Sequence, residues 1–281
     1  MSITKTEAIV LKSIKFGDTS RIATLYTRDH GKVKVIAKGI RSPKSRLAGS
    51  LQTFSRIQAV FYKKRTTEIY LLSQADTIES YQSVYKDLNR YVFASAALEL
   101  LDRLITGEES SPHIFQLSLA TLSFMENCPD ESLETCFTHF ALKLADLLGY
   151  KPKFDRCVSC NKNVQGRLIL FSPEKGGIVC KKCTRADQPY LRLPRHSVGW
   201  ASKLQSVQTG NLNTYNIPKE RLAEISKVIL TLLDYHTGRG KDLKSFEFLK
   251  ADKRLRQEQP EKKSKSKRGP SGVSKSENST C

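Results

Sequence analysis

Lys32-Val33-Lys34-Val35-Ile36-Ala37-Lys38 alternates apolar and basic side chains. The period of two in a β-strand puts Val33, Val35 and Ala37 on one face and Lys32, Lys34 and Lys38 on the other. One face is built for burial, the other carries positive charge. The turn signal Asp29-His30-Gly31 precedes this strand. Upstream, Ala8 to Ser13 alternates weakly and Arg21 to Thr27 forms a second run. Downstream, Arg56 to Tyr62 and Glu68 to Gln74 read as strands, joined by the basic turn Lys63-Lys64-Arg65. Five short strands before residue 80 predict a small closed barrel, which the OB type satisfies and an SH3-like barrel fits nearly as well. Gly39 to Gln52 is a loop that places Arg41, Lys44 and Arg46 around Pro43 and Gly49.

From Tyr81 the apolar spacing becomes three and four. Val84, Leu88, Tyr91, Val92, Ala96 and Leu100 mark one helix. Ser111-Pro112 is an N-cap with proline in the first turn, opening a helix to about Met125. Leu133, Phe137, Phe140, Ala141, Leu144, Leu147 and Leu148 form the cleanest amphipathic stripe, and Gly149 stands at its C-cap. Helices resume over Arg195 to Leu204. Another opens at Pro218, with Leu222, Ile225, Ile229, Leu232 and Leu233 on one face and Gly238 at its end. The predicted fold class is α+β and multidomain: an N-terminal five-stranded OB-type β-barrel, then an α-helical domain carrying a four-cysteine zinc module. The expected organisation is a barrel over 1–80, helices over 81–150, the zinc module over 151–189, more helices over 190–250, and a disordered basic tail over 251–281.

The zinc module rests on two knuckles, Cys157-Val158-Ser159-Cys160 and Cys180-Lys181-Lys182-Cys183. Two residues inside each pair let the backbone fold back so that both sulfurs reach one ion, and this spacing is that of a tetrahedral zinc site. Arg167 to Phe171 and Ile178-Val179 form a hairpin between them, turning at Pro173, Gly176 and Gly177. Four thiolates fill the zinc shell, so the metal is structural. The competing readings are four unrelated thiols or two disulfides. No N-terminal secretory segment is visible, which counts against disulfides.

The chain has 281 residues, 39% hydrophobic, with a formal net charge of +19. No apolar run approaches the roughly 20 residues of a membrane span. Residues 81–150 are acidic on balance, whereas the barrel, the zinc module and both following segments are basic. Segregated positive charge of this size points to a polyanion, most often nucleic acid. The tail holds almost no large apolar residue after Leu255, so it cannot offset its chain entropy. Its run Lys262-Lys263-Ser264-Lys265-Ser266-Lys267-Arg268 can hold phosphates without folding. Nothing in the chain matches a P-loop or a nucleophile elbow. His113, His139, His196 and His236 lack any spacing for metal or triad chemistry. Asp130, Glu131 and Glu134 sit near a helix start, where they favour the dipole. Cys128 and Cys136 read as reduced thiols of the helical domain, and His30 as turn chemistry. No enzymatic activity is expected.

Several further stretches fit one pattern. Gly17-Asp18-Thr19-Ser20-Arg21 through Thr27, Gly31-Lys32-Val33, Lys38-Gly39-Ile40-Arg41 and Lys44-Ser45-Arg46 belong to it. So do Leu51-Gln52-Thr53-Phe54, Gly149-Tyr150-Lys151-Pro152, Phe171-Ser172, Gly176-Gly177 and the two knuckles. Tyr235-His236, Gly238, Leu243-Lys244-Ser245 and Phe248-Leu249 close it. Over residues 5–250 the order of these features resembles the RecO family, bacterial recombination mediators of the RecF pathway. Thr53 stands where the family usually has proline, and the tail is longer and more basic than the family's. The resemblance implies a cytoplasmic, nucleoid-associated protein that binds single- and double-stranded DNA and anneals complementary strands. It also implies binding of single-stranded-DNA-binding protein, and work with RecR that loads RecA indirectly. On the barrel, Lys34, Lys38, Arg41, Lys44 and Arg46 are the candidate phosphate contacts, with Lys32 and Arg56 second. Phe16, Tyr26, Phe54, Phe61 and Tyr62 can stack bases, although core packing is the expected role of most. The alternative is a zinc-containing RNA-binding or nucleic-acid-processing protein.

Overall fold

The structure, a computed structural model, describes residues 2–42, 45, 47, 49–63, 67–240 and 242–248. Lys44, Arg46 and the tail from Ala251 lie outside the described residues.

Five strands form the N-terminal barrel: β1 (Ser2–Phe16), β2 (Ser20–Thr27), β3 (Gly31–Ala37), β4 (Ser55–Lys63) and β5 (Ile69–Ser80). They close in the order β1-β2-β3-β5-β4. All pairs are antiparallel except β3 with β5, which run parallel with Lys34 opposite Ile69. This is the OB arrangement and excludes the SH3-like alternative. β1 closes the barrel by pairing with β2 and β4, and its register shifts between Val10 and Lys12, where a bulge sharpens the bend. Val33, Val35 and Ala37 point inward, as the alternation predicts, and meet Ala8, Val10, Ala23, Leu25, Ile57 and Phe61.

A second core joins the helices, the cysteine module and one side of the barrel. Its helices are α1 (Leu88–Leu104), α2 (Pro112–Asn127), α3 (Leu133–Leu147), α4 (Arg195–Ser206) and α5 (Lys219–Thr237). Asp87 caps α1 by accepting from the Arg90 N–H at 2.9 Å, and Ser111 caps α2. α3 packs against each of the other helices. It ends at Gly149, whose φ of +86° opens two closing bonds, Gly149 N–H to Asp146 C=O and Tyr150 N–H to Ala145 C=O. Between α3 and α4 lie β6 (Leu168–Ser172), β7 (Gly177–Val179) and β8 (Leu191–Pro194), in the order β7-β6-β8. The β6–β7 hairpin agrees with expectation. β8 is four residues ending in proline, too short for periodicity to register.

His139 of α3 is buried in this core. Its Nδ1 lies 3.0 Å from the Leu204 carbonyl and its Nε2 lies 3.2 Å from Thr209 Oγ1. A carbonyl only accepts, so Nδ1 carries the proton and Nε2 accepts from the threonine. Burial pushes the imidazole pKa down to about 4, against about 6.5 for the unfolded chain. The unfolded state therefore binds the proton first. The His139 contribution to stability is complete above pH 6.5 and falls as the pH drops towards 4, by on the order of 3 kcal/mol over that window. Urea unfolding of wild type and His139→Gln across that range tests this: the substitution should flatten the slope, and an unchanged slope would exclude the assignment.

Candidate nucleic-acid interface and metal centre

The barrel register assembles an outer face that no linear motif shows. Lys12 stands opposite Thr24, Thr24 opposite Lys34, and Lys34 opposite Ile69. One step along, Ile14 faces Ile22, Ile22 faces Ile36, and Ile36 faces Leu71. A row carrying Lys12 and Lys34 thus runs beside an apolar row that crosses four strands. Ile14 is 48% exposed and Leu71 is 36% exposed, and Phe16, at 52%, extends the apolar side to the β1–β2 turn. Such a face can carry phosphates on cations and bases on apolar side chains.

Lys34 and Lys38 are exposed and make no ion pair among the described residues. Arg41 is exposed too, but its Nη1 donates to the Asp18 carbonyl at 2.8 Å, and its backbone N–H donates to Thr19 C=O. It ties the loop after β3 to the β1–β2 turn and keeps further guanidinium donors free. The second-tier pair is structurally engaged. Lys32 Nζ donates to both the backbone carbonyl and the carboxylate of Asp102 in α1, and Arg56 holds Glu7 at 2.6 Å. Tyr26, Phe54 and Phe61 are fully buried, which leaves Phe16 as the exposed aromatic of that set, with Tyr62 half-buried. The isoleucine row and Lys12 were missed because their placement depends on cross-strand register.

A loop between α1 and α2 locks the barrel in place. Glu108 takes hydrogen bonds from Lys63 Nζ and from Tyr70 Oη, which hold its carboxyl below the usual range despite the opposing effect of burial. Lys32 N–H donates to Gly107 C=O at 3.1 Å.

The four knuckle sulfurs lie within 4.8 Å of one another. Cys160 Sγ and Cys180 Sγ are 3.8 Å apart. That matches the edge of a tetrahedron with metal–sulfur bonds of about 2.3 Å and is far beyond a disulfide of about 2.05 Å. The first knuckle folds back through Cys157 N–H to Lys162 C=O and Asn161 N–H to Cys157 C=O, with Asn161 in the left-handed region at φ 58°. The second turns through Cys183 N–H to Cys180 C=O. Burial raises the Cys157 thiol, but N–H donors from Cys180, Ser159 and Cys160 outweigh it and bring its pKa to about 6. Hydrogen bonding to Cys180 and Cys160 drives Cys183 up to about 12. Four sulfurs this close cannot all ionise without a cation among them. The group can hold a metal ion, and its soft, closed donor set is compatible with zinc. Cys128 and Cys136 are free, buried thiols outside it.

A closed OB barrel with a basic and apolar outer face, seated on helices that carry a four-thiolate group, defines a class of nucleic-acid-binding architecture. The family model described as Recombination protein O N terminal matches residues 1–81, and the one described as Recombination protein O C terminal matches residues 85–245. A DNA repair protein RecO of Symbiobacterium thermophilum is 31% identical over 251 residues, covering 89% of this chain and 97% of that protein. Those of Desulfitobacterium hafniense and Rubrobacter xylanophilus are each 35% identical, covering 67% and 69% of this chain and 68% and 76% of their own lengths. The chain belongs to the RecO family of DNA repair and recombination proteins. Among the described residues no helix is long and apolar enough to cross a membrane.

Proposed function

We propose that this protein is a non-enzymatic recombination mediator that binds single- and double-stranded DNA on the barrel and anneals complementary strands. The observation that carries the proposal is the outer face, where Lys12 and Lys34 flank the outward-facing Ile14–Ile22–Ile36–Leu71 row. Phosphates neutralised by lysines release counterions and give affinity without sequence preference. Two strands neutralised on one protein no longer repel each other, which is the physical basis of annealing. Family membership supports the partners: single-stranded-DNA-binding protein, RecR, and through them RecA. It also supports a cytoplasmic location. The metal, in this reading, is a structural Zn²⁺ held by Cys157, Cys160, Cys180 and Cys183.

The test is annealing of complementary oligonucleotides, with and without single-stranded-DNA-binding protein and with no nucleotide added. Unchanged annealing rates at low salt would end the proposal. Lys34→Ala and Lys38→Ala should each lower the salt dependence of single-strand binding by about one unit of slope. Fluorescence anisotropy at several salt concentrations measures it, and an unaltered slope in both variants would remove these lysines from the interface.

A further inference from the structure

At the end of the barrel where β1 and β2 run out, Lys15 stands directly opposite Arg21 in the ladder. Like charges at opposed positions repel unless an anion joins them. Neither side chain has a carboxylate partner among the described residues. Arg21 Nε is buried with no hydrogen-bond partner, and so is Ser13 Oγ. Buried polar atoms are rarely left unmet, so two that line one cavity call for a partner there, whether water, ion or ligand. Ser13 and Arg21 line a cavity of about 400 Å³ together with Gln52, Gln82 and Tyr85. No carboxylate lines it.

One wall of this cavity is Leu51-Gln52-Thr53, and Phe54 follows it. Phe54 has φ 67°, a left-handed conformation that a bulky side chain adopts only when its surroundings impose it. Its ring is wedged edge-on between Tyr85 at 5.4 Å and Tyr91 at 5.6 Å. Tyr85 Oη donates to Thr53 C=O at 2.6 Å, which fixes a ring that remains 46% exposed. Tyr85, tied to Thr53, thus lines the cavity together with Gln52 and Arg21.

We propose that this cavity is a nucleotide pocket, taking a phosphate group on Arg21 and Ser13, with Lys15 at the neighbouring ladder position adding positive charge, and the attached base against Tyr85. Gln52 and Gln82 line the same cavity, the Gln82 Nε2 donating to Ser80 Oγ at 2.8 Å and leaving its amide oxygen for the base edge. The pocket deepens the DNA-binding reading and rests on it. Arg21 pairs with Ala37, one residue before Lys38, and the Arg41 N–H is bonded to Thr19. A strand held by Lys38 and Arg41 therefore passes this end of the barrel.

The full-length protein is titrated by calorimetry with thymidine 5′-monophosphate, with thymidine, and with short and long oligothymidylates, for wild type, Arg21→Gln and Ser13→Ala. The monophosphate should bind at least tenfold tighter than thymidine. Arg21→Gln should abolish that preference, and Ser13→Ala, which removes only the hydroxyl, should weaken it several-fold. If Arg21→Gln fails to fold, Ser13→Ala alone decides. Monophosphate and thymidine binding equally, or neither binding while the long strand still does, would overturn the pocket and leave DNA binding standing. Selective monophosphate binding with no long-strand binding at low salt would do the reverse. Loss of oligonucleotide affinity in Arg21→Gln assigns the pocket to a strand; retained affinity with monophosphate binding lost assigns it to free nucleotides.

Discussion

Replacing Cys157 with serine should release the metal proposed for the four-thiolate group and unfold the knuckles and the β6–β7–β8 sheet together. Cys157 is 1% exposed, and its knuckle is built into the sheet, because Val158 N–H donates to Ile178 C=O and Lys153 pairs with Gly177. Structural zinc in small modules contributes roughly 10 kcal/mol or more of binding free energy, which becomes folding free energy where no site pre-exists. The loss should spread to α5, since His236 Nε2 is held by the Pro173 carbonyl at 3.0 Å and its ring stacks on Tyr150 at 5.0 Å. It should stop short of the barrel, whose inner core is a separate cluster. Metal analysis should give one equivalent in wild type and none in Cys157→Ser. Hydrogen exchange should show protection lost over residues 153–194 and at the end of α5, with β1–β5 protected. Cys128→Ser, outside the cluster, should keep the metal. Full metal content and unchanged exchange in Cys157→Ser would exclude the four-thiolate site. DNA binding should fall only modestly, since the proposed contacts lie on the barrel.

The parts of this fold that were legible in the sequence are those whose two faces see different solvents. β3 sees the barrel interior on one side and water on the other, so its lysines and valines alternate cleanly. β1 does not: Ala8 and Val10 face the barrel interior while Ile9 and Leu11 join the helical core. Both faces are buried there, the alternation vanishes, and periodicity marks less than half of the strand. The same double burial explains Tyr26, which leaves the barrel wall to meet Phe115 at 6.3 Å. The knuckles were legible because metal ligation fixes residue type and spacing locally. The outer face was only partly so. Ile14, Ile22, Ile36 and Leu71 become neighbours through hydrogen-bond register, which composition does not encode. Lys32 shares the strand face of Lys34, and only the tertiary approach of Asp102 separates a structural lysine from an available one.

That approach gives the second large effect. Gly31 has φ +59°, and a Cβ there would lie 2.5 Å from the Glu109 carbonyl oxygen and 2.6 Å from the Glu108 carbonyl carbon. These are backbone atoms, so the clash cannot be relieved by a side-chain rotation. Gly31→Ala should force the loop between α1 and α2 off the barrel, with loss of the Lys32–Asp102, Lys63–Glu108 and Tyr26–Ser111 contacts. Left-handed backbone at alanine costs about 1 kcal/mol by itself, and the forced displacement adds about 1–3 kcal/mol more. Gly39 supplies the control, for it has φ +66° and nothing within 4 Å of its Cβ position. Gly39→Ala should therefore cost only the conformational part. Urea midpoints should fall for Gly31→Ala by two to four times the drop seen for Gly39→Ala, as about 2–4 kcal/mol against about 1. Equal drops would mean that the barrel is not clamped by this loop. Because Lys34 and Lys38 make no ion pair with the clamp among the described residues, the destabilised protein should still bind single strands below its unfolding transition, with the salt slope of wild type.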